Sequence, residues 1–192
     1  TIAKELLILI SANKQIYDHI GEKNAVLSEY CEAVRHIITG EKVEIKCTEL
    51  CEVLEAMSDW IANHIRETEW TGDKEGNSWF NGYYDNSGKA VEGDFESGIR
   101  MMLTGQVFTI MSEVATKEQV AEIAKAADKY LYDEEIGGYR LNTDFKEVKT
   151  DLGRLFGFAF GHKENGAVFS HMAIMYANAL YSRGFAKEGY KV

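Results

Sequence analysis

The decisive stretch of the sequence is Gly161-His162-Lys163-Glu164-Asn165-Gly166-Ala167-Val168-Phe169-Ser170-His171. It places two histidines, a lysine, a carboxylate, an amide and two glycines in eleven residues. The apolar run from Met172 to Tyr181 follows at once and predicts a buried helix. The first N–H groups of a helix are unpaired and carry a partial positive charge, which suits phosphate or a carboxylate. The stretch therefore predicts either an anion site at a helix start or an ordinary loop-to-helix junction capped by Ser170.

Composition predicts one globular domain. The chain has 192 residues, 45% hydrophobic and 27% charged, which is enough for a proper core. No segment holds eighteen consecutive apolar residues, and residues 1–10 resemble an amphipathic helix and no signal peptide, so we expect no membrane partner. The net charge of −10 argues against a nucleic-acid partner.

The three cysteines predict a cytoplasmic protein with reduced, buried thiols, because the count is odd and no C-x-x-C pair occurs. Cys47 and Cys51 lie four residues apart, but no further ligand lies near them, so we expect no metal site.

Apolar spacing predicts about six helices. The proposed bounds are residues 1–20 ended by Gly21, 24–38 stopped by Gly40, 47–66, 98–115, a helix opened by a capping box at 116–119 and running to about 131, and 166–183 ended by Gly184. We interpret His19, His36 and His64, which fall on these helices, as ordinary surface or packed histidines. Gln106 falls within an apolar set and needs a partner, either backbone or a pocket.

Two long loops interrupt the helical pattern. Residues 67–98 carry Trp70, Trp79, Phe80, Tyr83 and Tyr84, with a short strand predicted at 79–84 and a turn at 85–88. Aromatic faces beside Asn and Asp suit a sugar ring, and Trp79 and Tyr83 are the candidate contacts. Equally, the aromatics could simply pin the loop to the domain. The second loop, 133–150, contains a possible strand at 137–141.

Helix pairs joined by long loops favour an all-α toroid, in which the loops line a central pocket. A complete double ring of this kind needs twelve helices, so about half would be absent from these 192 residues.

Two motifs resemble one family of enzymes. Residues 161–171 are similar to the "KENGG-x-F-x-H" segment of the disaccharide phosphorylases of glycoside hydrolase family 94, once grouped as glycosyltransferase family 36. Residues 79–93 are similar to that family's "W-[YF]-x-x-x-Y-D-x-x-G" loop, and Gln106 matches a family glutamine. Order and spacing agree over roughly residues 60–185. One departure is Ala167, where many members carry a second glycine.

The resemblance implies that residues 1–192 are part of an (α/α)6-barrel catalytic domain. It further implies an inverting reaction in which phosphate attacks the anomeric carbon of a β-linked disaccharide or oligosaccharide and yields an α-sugar 1-phosphate. Phosphate would replace the water and general base of an inverting hydrolase, so a single catalytic acid suffices. Inorganic phosphate is then a co-substrate and no cofactor is expected.

Residue by residue, the resemblance assigns phosphate binding to His171 and an acceptor-side sugar contact to Glu164. Lys163, Asn165 and Gly166 are candidate sugar-binding neighbours in the same loop. The family's general acid is an aspartate in an Asp-Trp-Asn-Asp-like segment, which these residues lack. We therefore expect the acid, and a phosphate-binding arginine, upstream of Thr1, and we expect the chain to be a fragment that is inactive alone.

Two alternatives stay open. One is a piece of an (α/α)6 inverting hydrolase or lyase, which would need a carboxylate pair such as Glu164 with Asp85 or Glu92. The other is a non-catalytic helical interaction domain. Apolar faces left exposed by missing helices could also drive homodimerisation.

Overall fold

A computed structural model describes residues 1–12 and 14–192, without the side chains of Lys14 and Gln15. The chain divides into two compact units, Thr1–His64 and Ile65–Val192. About half of the residues are helical. The described residues therefore confirm a mainly helical chain, while the complete (α/α)6 ring stays a prediction.

Seven α-helices lie in the described part of the chain: α1 (Leu7–Ile10), α2 (Ile20–Val34), α3 (Cys47–Thr68), α4 (Leu103–Met111), α5 (Lys117–Tyr130), α6 (Ser170–Ser182) and α7 (Ala186–Lys191). Three 3₁₀ segments accompany them, at Lys4–Leu6, Lys14–Asp18 and Thr150–Gly157. None of the described helices is both long and apolar enough to cross a bilayer.

Eight short strands form four separate antiparallel pairs among the described residues. They are β1 (Ile2–Ala3) with β2 (Lys42–Val43), β3 (Trp70–Gly72) with β4 (Ser78–Phe80), β5 (Gly93–Phe95) with β6 (Gly98–Arg100), and β7 (Tyr132–Asp133) with β8 (Gly138–Tyr139). The strands predicted near 79–84 and 137–141 are thus confirmed in shortened form. The turn at 85–88 is also present, closed by the Gly88 N–H donating to the Asp85 carbonyl.

The predicted helix over residues 1–20 is wrong. Residue 13, which falls within the predicted range, lies outside the described residues. The segment holds β1, two 3₁₀ turns and the short α1. Gly21 does not end a helix, because it lies inside the first turn of α2 and has no positive φ. A glycine stops a helix when it adopts the left-handed conformation, as Gly184 does after α6 with φ 84°.

The predicted helix starts at 98 and 166 are also too early. Backbone pairing with β5 takes residues 98–100 into a strand, so α4 begins only after the extended Met102. Gly166 lies in a turn and residues 167–169 are not helical: the Ala167 carbonyl accepts a hydrogen bond from the Leu141 N–H and Phe169 is extended, so α6 begins at Ser170. The helix predicted over residues 47–66 is confirmed as α3, which runs two residues further, and so is the capping box at Thr116 and Gln119.

The first unit leaves much apolar surface in solvent. Leu54 and Ile61 of α3 are 53% and 51% exposed, although they belong to the predicted apolar stripe. The three cysteines, all in this unit, are free as expected but exposed, so the prediction of buried thiols is wrong. The physical reason is that neither α2 nor α3, which carry these cysteines, contains a buried residue.

The core of the second unit is formed by β4, α4, α5 and α6. Trp79 and Phe80 of β4 pack with the inward side chains of the helices, among them Leu103, Ile110 and Tyr176. Gln106 lies in this core with no exposed surface. Its Oε1 accepts from the Phe80 N–H at 2.9 Å, and its Nε2 donates to the Phe80 carbonyl at 2.7 Å and to the Met102 carbonyl at 3.1 Å.

Glu92 lies beside this amide and is 3% exposed. Its Oε1 accepts from the Gly82 N–H at 2.8 Å and its Oε2 from the Met102 N–H at 2.7 Å. These bonds favour the charged carboxylate, but burial opposes it more strongly and raises the pKa of Glu92 to about 8. The side chains of Gln106 and Glu92, which we call the core polar pair, thus connect the aromatic loop to α4.

Replacing Gln106 with leucine should destabilise the second unit by about 3 kcal/mol. The substitution leaves the buried N–H and carbonyl of Phe80 without partners, and each lost partner costs roughly 1–3 kcal/mol. Urea unfolding followed by circular dichroism would measure the change. The matched control is Gln119→Leu, which removes an exposed cap and should cost about 1 kcal/mol or less. Equal effects for the two variants would contradict the role given to Gln106.

Stability should fall as the pH rises from about 5 to about 8 through the Glu92 carboxyl. In this window the folded chain keeps a proton that the unfolded chain, whose glutamate pKa is near 4.5, has already released. Glu92→Gln should remove this contribution, whereas the exposed Glu96→Gln should keep it. The measurement is the urea midpoint at several pH values, and an unchanged slope in Glu92→Gln would show that Glu92 ionises as it does in the unfolded chain.

Candidate active-site cavity

A cavity of about 230 Å³ in the second unit brings together the starts of two helices and the loop of the decisive stretch. α4 packs against α6 beside it. The lining consists of Met102, Thr104, Leu141, Asn142, Leu155, Glu164, Phe169, His171 and Met172. The two residues that carry most of the sequence prediction, Glu164 and His171, therefore share one cavity. The first unit has its own groove, but that lining is almost wholly apolar and offers little chemistry.

His171 is the second residue of α6 and its side chain is exposed. The ring lies 5.5 Å, centroid to centroid, from Phe169, which is the N-cap residue of the helix. Within the described residues no side chain caps α6, so Ser170 does not act as a cap. The imidazole and the first-turn N–H groups are thus available to an acceptor ligand.

The two carboxylate oxygens of Glu164 differ: Oε1 lies in an ion pair and Oε2 has no partner among the described residues. Its Oε1 lies 3.5 Å from the Nε of Arg154. Its Oε2 is buried and has no hydrogen-bond partner among the described residues. A buried acceptor without a partner is costly, and a ligand hydroxyl is the group that would satisfy it. Glu164 is also the only carboxylate in the described lining of this cavity.

Lys163 takes a left-handed backbone conformation with φ 49°, and its exposed ammonium lies 4.9 Å from the ring centroid of Phe158. It does not line the cavity, although it stands next to Glu164. Its role as a sugar contact stays a prediction.

Asn165 and Gly166 hold the loop in shape. The Asn165 amide is buried, and its Nδ2 donates to the Phe158 carbonyl at 2.8 Å. Gly166 has φ 75°, and a Cβ placed there would lie 2.3 Å from the Phe160 ring, so only glycine fits. Since these groups are already engaged within the protein, we describe them as loop-forming residues. Sugar contacts through them stay untested.

The two aromatic candidates lie elsewhere. Trp79 has no exposed surface and packs edge-on against Tyr130 with ring centroids 5.8 Å apart, so it is a core residue in this structure. Tyr83 is 45% exposed but does not line the cavity. The aromatic loop is therefore pinned at Trp79, as the second of the two sequence interpretations proposed.

Two polar lining residues were missed by the sequence analysis. Thr104 is the second residue of α4, and Asn142 lies in the loop after β8. Neither a single threonine at a helix start nor a single asparagine in a loop carries a local signal of a site. Thr104 lies two residues before Gln106, and that proximity is the only hint the sequence contained.

Among the described residues, no carboxylate pair of the kind that a hydrolase requires is assembled around this cavity. Asp85 is used in its own turn, where Oδ1 accepts from the Ser87 and Lys89 N–H groups. Glu92 accepts from backbone N–H groups in the core. Among the described residues, no cluster of three or more His, Cys, Asp or Glu side chains could hold a metal ion.

The sequence of the chain is similar to those of one family of known proteins. Residues 35–192 match the model of the glycosyl hydrolase 94 superfamily, catalytic domain. One relative is a solabiose phosphorylase of Paenibacillus borealis, 28% identical over 145 residues, which are 76% of this chain and 17% of the relative. Another is a cellobionic acid phosphorylase of Neurospora crassa, 29% identical over 85 residues, covering 44% and 11%.

The chain thus spans less than a fifth of the length of these relatives. Most of it, however, falls within the catalytic-domain match, which includes every residue that lines the cavity. The chain therefore belongs to the glycosyl hydrolase 94 superfamily.

Proposed function

We propose that this chain is part of a glycoside phosphorylase that cleaves a β-linked disaccharide or oligosaccharide with inorganic phosphate. The observation that carries the proposal is the cavity shared by His171 and Glu164, in which the Glu164 Oε2 lacks a partner. Membership of the superfamily and the two phosphorylase names support it.

In the proposed reaction, a phosphate oxygen attacks the anomeric carbon and forms the new C–O bond. The glycosidic C–O bond breaks, and the leaving sugar oxygen takes a proton from a carboxylic acid. Attack from the face opposite the leaving group inverts the centre, so the product is an α-sugar 1-phosphate. Phosphate is consumed as co-substrate, and the scheme needs no cofactor.

His171 would donate an N–H to phosphate, supported by the start of α6. Glu164 would accept hydroxyls of the sugar, because its free oxygen is an acceptor and its negative charge would repel phosphate. The proton donor must be another carboxyl, which we place outside these 192 residues. A hydrolase is the less favoured candidate, since both relatives named above are phosphorylases.

The product of the complete open reading frame should release α-sugar 1-phosphate from a β-linked disaccharide only when phosphate is present. The substrate panel is cellobiose, chitobiose, laminaribiose, solabiose and cellobionic acid, and phosphorus and proton NMR report the ester and its anomeric configuration.

His171→Ala should raise the KM for phosphate about 10- to 100-fold, the range expected when a charge-assisted hydrogen bond is lost. Glu164→Gln should instead raise the KM for the disaccharide.

The control is His162→Ala, because His162 is an exposed histidine of the same loop that does not line the cavity. It should behave as the wild type. Release of free sugar without phosphate would contradict the proposal and favour a hydrolase. The isolated 192-residue chain should be inactive, because we expect the proton donor outside it, and clear turnover by it would place the acid within these residues.

A further inference from the structure

Asn142 is a cavity-lining residue whose side chain is fully buried and fully engaged. Its Nδ2 donates to the Thr143 carbonyl at 2.9 Å and to the Asn165 Oδ1 at 3.1 Å. Its Oδ1 accepts from the Gly166 N–H at 2.8 Å. A neutral side-chain amide has two N–H hydrogens to donate. Asn142 therefore has no donor left for a ligand, although it borders the space that a ligand would occupy.

The residues that Asn142 holds lie directly after Glu164 in the sequence. Asn165 is fixed a second time through its Nδ2, which donates to the Phe158 carbonyl. Gly166 is fixed a second time through its carbonyl, which accepts from the Arg140 guanidinium at 2.8 Å. The loop around Glu164 is thus held at two successive residues, and Asn142 contacts both of them.

The segment that carries Asn142 is itself attached to the opposite wall of the cavity. The Leu103 N–H, in the first turn of α4, donates to the Leu141 carbonyl at 2.8 Å, and Met102 pairs with Asn142 in an isolated bridge. The Leu141 N–H donates to the Ala167 carbonyl at 3.0 Å. Leu141 and Asn142 therefore connect the start of α4 on one side to the Glu164 loop on the other.

We propose that Asn142 is a positioning residue for Glu164: it sets the distance and orientation of the Glu164 carboxylate in the cavity without touching the substrate. The effect of Asn142 on the reaction rests on the proposed function, in which Glu164 contacts the sugar. Asn142 should consequently govern binding and turnover of the disaccharide and leave the phosphate side, held by α6, unaffected. A misplaced group in an active site commonly costs far more in rate than in stability.

Two variants separate this role from general stability. Asn142→Ala removes all three hydrogen bonds. Asn142→Asp keeps the acceptor for the Gly166 N–H but turns the other atom toward the Thr143 carbonyl and the Asn165 Oδ1, both acceptors. When the introduced carboxyl is protonated at low pH, it can donate again to one of them.

The matched control is Asn77→Ala, since Asn77 is another buried asparagine, 4% exposed, whose amide donates to Asp73 far along the chain from the cavity loop.

The primary measurement is kinetic and uses the product of the complete open reading frame. Asn142→Ala should lower kcat/KM for the disaccharide about 10- to 100-fold, equivalent to about 1.4–2.7 kcal/mol of lost transition-state stabilisation, while the KM for phosphate stays at the wild-type value. Asn142→Asp should recover toward wild type as the pH is lowered, when its rate is divided by the wild-type rate at each pH. Asn77→Ala should lose stability without changing either KM.

The second measurement needs no activity. Hydrogen exchange of the Gly166 amide, by NMR on the 192-residue chain, should accelerate in Asn142→Ala and stay at the wild-type rate in Asn77→Ala. If the wild type shows no phosphorolysis, the proposed function fails, and the exchange result still decides whether Asn142 holds the loop. Unchanged Gly166 exchange, or equal losses for disaccharide and phosphate in an active protein, would overturn the proposal. If Asn142→Ala does not fold, the pH dependence of Asn142→Asp gives the same decision.

Discussion

The side-chain amide of Gln106 is the interaction on which the second unit depends. It satisfies both the N–H and the carbonyl of Phe80 and also donates to the carbonyl of Met102, the N-cap residue of α4. A buried backbone group must have a partner, or folding pays for its desolvation. Because this partner is one side chain on α4, the aromatic loop and the helix can pack only in one relation to each other. Glu92 extends the same constraint to Gly82 and Met102.

The geometry of the cavity depends on that core. Met102 donates its N–H to the Glu92 Oε2 and accepts at its carbonyl from the Gln106 Nε2, and it also lines the cavity. From there Leu141 and Asn142 continue the connection to the loop that carries Glu164. Binding groups are most exact when supporting hydrogen bonds fix them. Here hydrogen bonds connect the buried Gln106, through Met102 and the segment Leu141–Asn142, to the loop that carries Glu164. The Oε2 of Glu164 has no partner among the described residues.

Several features of this arrangement could be foreseen from the sequence. Periodicity alone predicted α3, and the capping box at Thr116 predicted the start of α5, because both are local patterns with a local cause. Gln106 was recognised as a polar residue that needed a partner. The predictions that failed concern features with non-local causes. The starts of α4 and α6 are delayed by backbone pairing with β5 and with Leu141, which no window of sequence reveals.

The candidate site divides in the same way. By itself the sequence determined that residues 161–171 join a polar loop to a helix and that the chain resembles the family 94 phosphorylases, since motif chemistry is encoded in adjacent residues. The predicted burial of that helix is only partly correct, because Ile174 is 69% exposed. Only the tertiary structure decided that Glu164 and His171 share a cavity with Thr104 and Asn142, and that Trp79 belongs to the core. The physical reason is that burial and hydrogen-bond partners are set by contacts between residues distant in sequence, such as Asn142 with Gly166.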